Sequence, residues 1–339
     1  MADYKAIKGW AIHTVSSDPS NPILGQVWYN TTTGKIKVAK TQTGAWASGG
    51  DVNTERAALA GTGADNEAVI IFGGNTIHGA RKDEAETYDG SSWTEVGDLN
   101  QGRQNPTGNI GTVTAALAVG GGPLGPLPTE AYDLVEQWDG SSWTEIADIN
   151  TSRFSAGGSG TTTAAIIFGG DSAAQPGGYG EGETESWNGT SWTEVNDMNN
   201  ARNWHGDAGK TSDAAIAIGG GPGNIAHSET WDGSSWSETN NLNTGRRYIQ
   251  AFGTSTSALG ASGYVTAAAV ANCEEWNGSS WAEVADVSTA RFLTGHGGSY
   301  ASGLIASGDS GAPLPAPGQR VATEEWTGDS VTAANVDVT

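Results

Sequence analysis

Cysteine is nearly absent from this sequence, since Cys273 is the only one among 339 residues. A single cysteine excludes an intrachain disulfide and any zinc site built on several cysteines. Positive charge is also scarce: 16 lysines and arginines face 38 aspartates and glutamates, which gives a formal net charge of −22. A chain this acidic is repelled by nucleic acid and by anionic membrane surfaces, so we expect neither as a partner.

Long apolar runs are absent as well. No stretch is long enough to cross a bilayer as a helix, so we expect no membrane insertion. The opening residues Met1–Lys5 lack the apolar core of a secretory signal peptide. The single cysteine fits a protein assembled in the cytoplasm. Residues 1–25 show no clear periodicity, whereas residues 26–38 alternate like two strands around a turn that contains Gly34.

Glycine and tryptophan, by contrast, are abundant, with 51 and 14 copies. Many of the tryptophans belong to a short pattern in which two aromatic residues flank an Asp-Gly or Asn-Gly step. Its copies begin at Tyr88, Trp138, Trp187, Trp231, Trp276 and, in degenerate form, Trp326. The second aromatic residue is Trp93, Trp143, Trp192, Trp236 or Trp281. Such steps accept positive φ in a tight turn, so each copy predicts a β-hairpin, and six copies at nearly constant spacing indicate a repeat protein.

An arginine marks the start of each repeat. The six arginines are Arg56, Arg103, Arg153, Arg202, Arg246 and Arg291, and their spacing averages 47 residues. Each is followed by a segment of small residues, then by an apolar segment that usually ends in a glycine pair, such as 68–74. A loop of variable length and the aromatic hairpin complete the unit. Four strand-like segments in a unit of this length predict a four-stranded sheet.

Residue size increases along each unit, from glycine and alanine through isoleucine and phenylalanine to tryptophan. In a β-propeller the gaps between sheets are narrow at the axis and widen outward, so small residues suit the innermost strand and large ones the outer strands. The segment 68–72 has no polar face and therefore needs cover on both sides, which neighbouring sheets of a ring provide. A solenoid does not explain the size gradient. We therefore predict an all-β β-propeller.

The order of arginine, small strand, apolar strand with Gly-Gly and paired aromatics resembles the Kelch repeat, over roughly residues 46–339. Weaker counterparts of Gly73-Gly74 occur at 261–263 and 307–308. A second resemblance is to virion proteins of marine tailed bacteriophages, where Kelch-like propellers decorate tails or capsids. It lies in the amino-acid sequence of the repeat copies, in the opening Met1–Lys5 and in the segment 25–30. The Kelch motif implies a fold but almost no function. The phage resemblance implies a location at the virion surface or tail.

Two parts are predicted: an N-terminal arm and hairpin over residues 1–45, which would dock the protein to a particle, and the propeller over residues 46–339. Residues 46–51 have the pattern of a fourth strand but precede the first complete unit. This strand can complete the last blade, whose own final strand at 331–336 is degenerate, and the propeller then has six blades. Alternatively, residues 26–51 contribute to a seventh blade or remain a separate arm.

Loops of unequal length would crowd one rim of the propeller, and recognition usually resides in such variation on a uniform scaffold. Candidate binding side chains in these loops and at the mouth of the channel are His78, Arg81, Tyr132, Tyr179, Trp204, His205, His227 and Arg320. The alternative is that the loops are tolerated surface insertions. Trp204 and His205 occur in one repeat only, near the inner strand, so they are the first residues to mutate.

The repeated charged residues have a structural interpretation. The six arginines should lie near the channel mouth, where a ring of cations could bind an anionic sugar or an acidic partner. Most of them follow an aspartate by five residues, as Arg56 follows Asp51, so pairing within the scaffold is the simpler interpretation. A glutamate two residues before each hairpin's first aromatic, such as Glu86, is interpreted as a solvated blade edge or a partner of backbone groups.

These observations lead to three hypotheses on function. The first is a non-enzymatic virion structural protein, homo-oligomeric on the particle, that binds other virion proteins through its N-terminal arm and presents the propeller to a protein or to a host-surface glycan. The second is a carbohydrate-binding, lectin-like propeller. The third is an enzyme similar to galactose oxidase, a Kelch-type propeller with copper. Because the five histidines are scattered without ligand spacing, we expect no catalytic residue, no metal and no cofactor.

Overall fold

The computed structural model describes residues 12–76, 80–122, 131–172, 180–266, 268–311 and 321–336. Every regular element in these ranges is a β-strand, and none of the described residues belong to a helix that could span a membrane. The chain forms two compact units, Met1–Gly44 with Gly328–Thr339, and Ala45–Thr327. The end of the chain therefore groups with the first unit, whereas the predicted propeller extends to residue 339.

The first unit contains one mixed sheet. Its strands, in spatial order, are β1 (His13–Val15), β2 (Val27–Asn30), β3 (Lys35–Gln42) and β30 (Ser330–Asn335). Strands β2 and β3 form the hairpin that the alternation predicts, and β1 runs parallel to β2. Strand β30 pairs along β3 rather than with the last blade, which explains why this segment looks degenerate as a blade strand.

The described part of the second unit contains six four-stranded antiparallel sheets and one two-stranded pair. The first three sheets consist of β5 (Ala60–Gly63), β6 (Val69–Phe72), β7 (Ala85–Tyr88) and β8 (Trp93–Glu95); β9 (Gly111–Thr112), β10 (Ala115–Val119), β11 (Val135–Trp138) and β12 (Trp143–Glu145); and β14 (Gly157–Thr161), β15 (Ala164–Phe168), β17 (Thr184–Trp187) and β18 (Trp192–Val195). The small pair is β13 (Arg153–Phe154) with β16 (Asp171–Ser172).

The other three sheets repeat the same order. They consist of β19 (Gly206–Thr211), β20 (Ala214–Ile218), β21 (Ser228–Trp231) and β22 (Trp236–Thr239); β23 (Gln250–Thr254), β24 (Ser257–Val265), β25 (Ala268–Trp276) and β26 (Trp281–Glu283); and β27 (Gly295–Ser299), β28 (Ser302–Ala306), β29 (Thr323–Thr327) and β4 (Ala45–Ser48). The fourth strand of the last sheet thus comes from the beginning of the unit, in the position that the pattern of residues 46–51 suggested.

The first strands of the six sheets surround one axis. They touch in cyclic order, β5 to β9, β9 to β14, β14 to β19, β19 to β23, β23 to β27 and β27 back to β5. The sheets therefore radiate from a common channel, and the second unit is a β-propeller, as the gradient in residue size predicts. Copies stacked in a line would leave the first and last inner strands apart.

Close approach at the axis explains the small residues of the inner strands. A Cβ atom added to Gly158 would lie 2.5 Å from the carbonyl oxygen of Gly108, and one added to Gly61 would lie 2.5 Å from that of His296. Side chains at these positions would push neighbouring sheets apart. At the outer end, the paired rings of Trp138 and Trp143, 5.5 Å apart, fill the wider gap between sheets.

The six arginines are buried inside the scaffold and do not line the channel mouth. Each forms an ion pair with the glutamate two residues before the first aromatic of its own sheet, and its side chain is at most 2% exposed. The pairs are Arg56–Glu86, Arg103–Glu136, Arg153–Glu185, Arg202–Glu229, Arg246–Glu274 and Arg291–Glu324. Among the described ion pairs the partner common to all six arginines is thus this glutamate, not the preceding aspartate, because strand pairing brings the third strand under the arginine; Arg153 also pairs with Glu183.

Candidate functional site at the channel mouth

A ring of residues in the left-handed conformation surrounds one end of the channel. Each lies two positions after a repeat arginine, and the φ angles range from 49° to 57°; the residues are Ala58, Asn105, Ser155, Trp204, Tyr248 and Leu293. Neighbours are joined by backbone hydrogen bonds, for example from the amide of Asn105 to the carbonyl of Ala58 at 2.7 Å. Left-handed φ is costly for residues other than glycine. Its recurrence shows that the chain must turn sharply here to enter the inner strand.

Two members of this ring carry large aromatic side chains. The rings of Trp204 and Tyr248 lie 5.0 Å apart, and Phe292 and Tyr264 extend the cluster at 5.4 Å from Tyr248 and 4.9 Å from Phe292. The guanidinium carbon of Arg247 lies 5.2 Å from the Trp204 ring centroid and 5.3 Å from those of Tyr248 and Tyr264. These side chains are half-buried. They therefore form a partly exposed aromatic surface with one cation on one side of the mouth, which we call the aromatic rim.

A cavity of about 70 Å³ lies in the channel beside the aromatic rim, and its walls include His205, Asp207 and His296. The side chain of His296 is 7% exposed, and neither ring nitrogen has a hydrogen-bond partner within the described part of the protein. A buried polar group without a partner is costly unless a bound molecule supplies one. The imidazole of His296 is therefore placed to bind a polar group that enters the channel.

The other polar walls of the cavity are fixed by hydrogen bonds. The Asp207 carboxylate accepts from the amide of Gly158 and the side chain of Asn109, each at 3.1 Å, and burial raises its pKa to about 7. Burial also lowers the pKa of His205 and of His296 to about 4. Both imidazoles are thus neutral at pH 7, whereas Asp207 is about half ionised, so the cavity offers hydrogen-bond donors and acceptors and at most one negative charge.

Polar side chains also cross the channel below this cavity. Lys210, on the fourth sheet, donates to the carbonyl of Gly63 on the first sheet at 2.9 Å, and Asn109 reaches from the second sheet to the Asp207 carbonyl at 3.0 Å. Burial lowers the pKa of Lys210 to about 8. These bonds link sheets that are not neighbours, so they cross the channel.

The candidate binding residues predicted from the sequence do not lie together in one site. Trp204 lies on the aromatic rim and His205 in the cavity wall, where its ring nitrogens lie 3.1 Å and 3.3 Å from backbone carbonyl oxygens. Arg81 and Tyr132 lie together in the loops of the first two sheets, where the guanidinium donates to the phenol oxygen. The side chain of His227 is exposed, and its carbonyl accepts from Arg202. The candidates His78, Tyr179 and Arg320 lie outside the described residues.

Four important side chains of this site were missed: Arg247, Tyr248, Asp207 and His296. A usable signal exists for the last two, because both lie five positions after a repeat arginine. The other units have glycine or alanine at that position: Gly61, Gly108, Gly158 and Ala251. Comparison of the repeats position by position would therefore have marked Asp207 and His296 as exceptions. Arg247 and Tyr248 carry no such signal, since the corresponding positions vary among all units.

Metal and thiol chemistry have little basis in the described residues. Within them, no group of three or more histidine, cysteine, aspartate or glutamate side chains is arranged to hold a metal ion. Cys273 is buried, and burial raises the pKa of its thiol to about 11. Since the thiolate is the reactive form, this cysteine is a packing residue of β25.

The raised pKa of Asp207 predicts a pH-dependent stability. Between about pH 4 and about pH 7 the folded protein holds a proton on Asp207 that the unfolded chain has released, so this group lowers stability as pH rises. Asp207→Asn keeps an acceptor for Gly158 but cannot ionise. We expect the stability of this variant relative to wild type, measured as the difference between the two free energies of unfolding, to be about 2 kcal/mol greater at pH 7.5 than at pH 5.

Urea titrations of both proteins at the two pH values measure this difference. The matched control is Asp148→Asn, which changes the same group at an exposed position and should give the same difference from wild type at both pH values. Equal effects of pH on Asp207→Asn and on the control would show that Asp207 does not titrate in this window.

The fold and its channel define the chain as a β-propeller with a polar pocket beside an aromatic rim. Among solved structures it is similar to YjhT, a Kelch-type β-propeller, with a TM-score of 0.62 and 13% identity over 85% of this chain and 99% of that one. A likeness at this level of identity shows the fold alone. No protein-family model and no curated protein sequence matches the chain.

Proposed function

We propose that this chain is a non-enzymatic, Kelch-type recognition protein of a bacteriophage particle, located on the tail or the capsid surface. In this proposal the propeller is the recognition module and the aromatic rim is its contact surface. The location is supported by the resemblance of the repeats and of the opening residues to phage virion proteins. Electron microscopy of source particles, with an antibody against this chain, tests the location.

The observation that carries the recognition role is the asymmetry of the channel mouth. The positions one and two residues after each repeat arginine are equivalent in the six sheets, yet large aromatic side chains and Arg247 gather on one side. Half-exposed tryptophan, tyrosine and arginine are the side chains that contribute most to binding energy at interfaces. Packing of the scaffold does not require them, because Ala58 and Ser155 occupy the same ring positions elsewhere.

Carbohydrate binding is the second candidate, and the cavity favours it. A sugar ring presents an apolar face, which fits an aromatic surface such as Trp204, and hydroxyl groups, which fit donors and acceptors such as His296 and Asp207. The neutral imidazole of His296 can donate to one hydroxyl and accept from another. A host-surface glycan would satisfy both this candidate and the recognition role on a particle.

The contact surface is tested with Trp204→Ala. The wild-type protein is applied to an array of immobilised glycans and to cells of the phage host, and the variant is then compared on whatever the wild type binds. We expect the dissociation constant to rise at least about tenfold, because loss of a central aromatic contact typically costs more than 1 kcal/mol. Thr144→Ala, at an exposed position of an outer strand, is the control and should bind like the wild type.

Two results would contradict this assignment. Binding to cells that is unchanged by Trp204→Ala would place the contact surface elsewhere on the protein. Turnover of a bound sugar, detected by mass spectrometry after incubation, would contradict the non-enzymatic role. Binding to cells without binding to any glycan would leave recognition intact and remove the carbohydrate candidate.

A further inference from the structure

Exposed apolar side chains are concentrated in the first unit. Among the described residues, the large hydrophobic side chains that are exposed are Ile12, Ile23, Leu24, Val27, Tyr29, Val331 and Val336. Each of these belongs to the first unit, and the described residues of the propeller contribute none. Single exposed apolar residues are ordinary, but a group on one small sheet marks an interaction surface.

The two faces of this sheet differ. Along β2 the side chains of Trp28 and Asn30 are buried, whereas those of Val27 and Tyr29 between them are 41% and 38% exposed. The buried side is covered by the loop that carries Asp18, which accepts hydrogen bonds from Trp28 and Asn30 at 3.0 Å and 2.7 Å. Since side chains alternate along a strand, Val27 and Tyr29 lie on the opposite, uncovered side.

Strand register extends this uncovered side across three strands. Val27 lies opposite Val38 and Tyr29 opposite Ile36, and Val38 also lies opposite Ala334 on β30. The amide of Val336 donates to the carbonyl of Ile36, which places Val336 beside that residue. We call this surface the apolar face; its residues are Val27, Tyr29, Ile36, Val38, Ala334 and Val336.

The distribution of charge in the chain indicates which partner binds the apolar face. The face itself contains no charged side chain, and Lys40 and Thr332 lie next along the same side. Residues 1–44 hold five of the seven lysines of the chain but only two of its 38 acidic residues, so almost all of the net charge of −22 belongs to the propeller. Two copies that meet through their propellers repel each other, whereas the first unit is the part where copies approach with little repulsion.

We propose that two copies of this chain associate through their apolar faces, sheet against sheet, around a two-fold axis. Flat faces of valine, isoleucine and tyrosine pack on each other in β-sandwiches about 10 Å apart, and one such face is complementary to itself. The alternative, in which the first unit of one copy binds the acidic propeller of another, would bury the apolar face against charged residues. The inference rests on the apolar face and on the distribution of charge between the two units, and it is independent of the proposed function.

Sedimentation equilibrium of the full-length protein tests this association. We expect a molar mass of twice 34.6 kDa, and a dimer that tightens as salt is raised from about 0.05 M to about 0.5 M, because salt screens the repulsion between propellers and leaves apolar contacts intact. In Val27→Lys/Tyr29→Lys we expect the dissociation constant to rise at least about a hundredfold, since the interface would bury unpaired ammonium groups.

The matched control is Thr94→Lys/Thr144→Lys, which adds the same charge at exposed strand positions of the propeller and should remain dimeric. If the lysine variant fails to fold by near-UV circular dichroism, Val27→Thr/Tyr29→Thr replaces it, since threonine retains strand propensity. A wild-type protein that is monomeric at about 100 µM would overturn the proposal. This holds even if a variant without residues 1–11 associates, because the proposal concerns the full-length chain. A dimer that persists in both face variants would overturn it as well.

Discussion

Replacement of Arg202 by methionine should destabilise the protein by about 3–5 kcal/mol, because it removes one partner of a fully buried ion pair. Both side chains of the Arg202–Glu229 pair are 0% exposed. The guanidinium also donates to the carbonyl of His227 at 2.7 Å and that of Asn200 at 3.2 Å, and Glu229 accepts from the amide of Asn199 at 2.8 Å. The pair thus joins three parts of one sheet: the segment before β19, the loop between β20 and β21, and β21 itself.

Unfolding titrations with guanidinium chloride, followed by tryptophan fluorescence, measure this loss of stability. Lys82→Met is the control, because Lys82 pairs with Glu84 at a position where both side chains are about one-fifth exposed, and partly exposed pairs contribute about 1 kcal/mol or less. The double variant Arg202→Met/Glu229→Gln should recover part of the loss, since it leaves no buried charge. If Arg202→Met costs no more than Lys82→Met, the buried pair does not hold the sheet together.

Removal of β4 should open the propeller. This strand supplies the last sheet with its fourth strand: Trp46 pairs with Trp326 in register, their rings lie 5.4 Å apart, and the Trp46 indole donates to the carbonyl of Ala285 at 3.0 Å. A fragment that begins at residue 49 loses these contacts and exposes one edge of β29. We expect it to be less stable than a fragment that begins at residue 45 by about 3–5 kcal/mol, as for loss of a packed tryptophan.

Both fragments should end at Thr327, so that they differ only in β4. Thermal unfolding by circular dichroism compares them, and the full-length protein provides the reference. The fragment that begins at residue 45 is expected to keep the near-UV spectrum of the propeller, because its six sheets are complete. Equal melting temperatures for the two fragments would show that β4 does not close the ring.

Local sequence patterns predicted the sheets because each pattern acts within a few residues. An Asp-Gly step such as Asp139-Gly140 places a positive φ at the turn, and the structure has Gly140 at 96° with the Asp139 carboxylate accepting from the amides of Ser141 and Ser142. The increase in residue size was informative for the same reason, since every unit meets the same geometry. Fold class was therefore readable without any long-range contact.

The channel site was only partly predictable, because its members come from different sheets. Trp204 was singled out as unique to its repeat, but its neighbours Tyr248 and Phe292 belong to the next two units and meet it only through closure of the ring. The interpretation of the arginines shows the same limit. An aspartate five residues earlier was the nearest partner in sequence, whereas a glutamate about 30 residues later is the partner in space.

The order of residue types along the chain is enough to predict an all-β propeller of repeated four-stranded units with small residues toward the axis and tryptophans outside. Those properties follow from turn chemistry and from residue volume, which each unit expresses alone. Tertiary structure decided which charges pair, which strand ends the ring, and that His296, Asp207 and the aromatic rim share one pocket. These depend on register and on ring closure, which juxtapose residues up to about 280 positions apart, and a linear pattern carries no information on such distances.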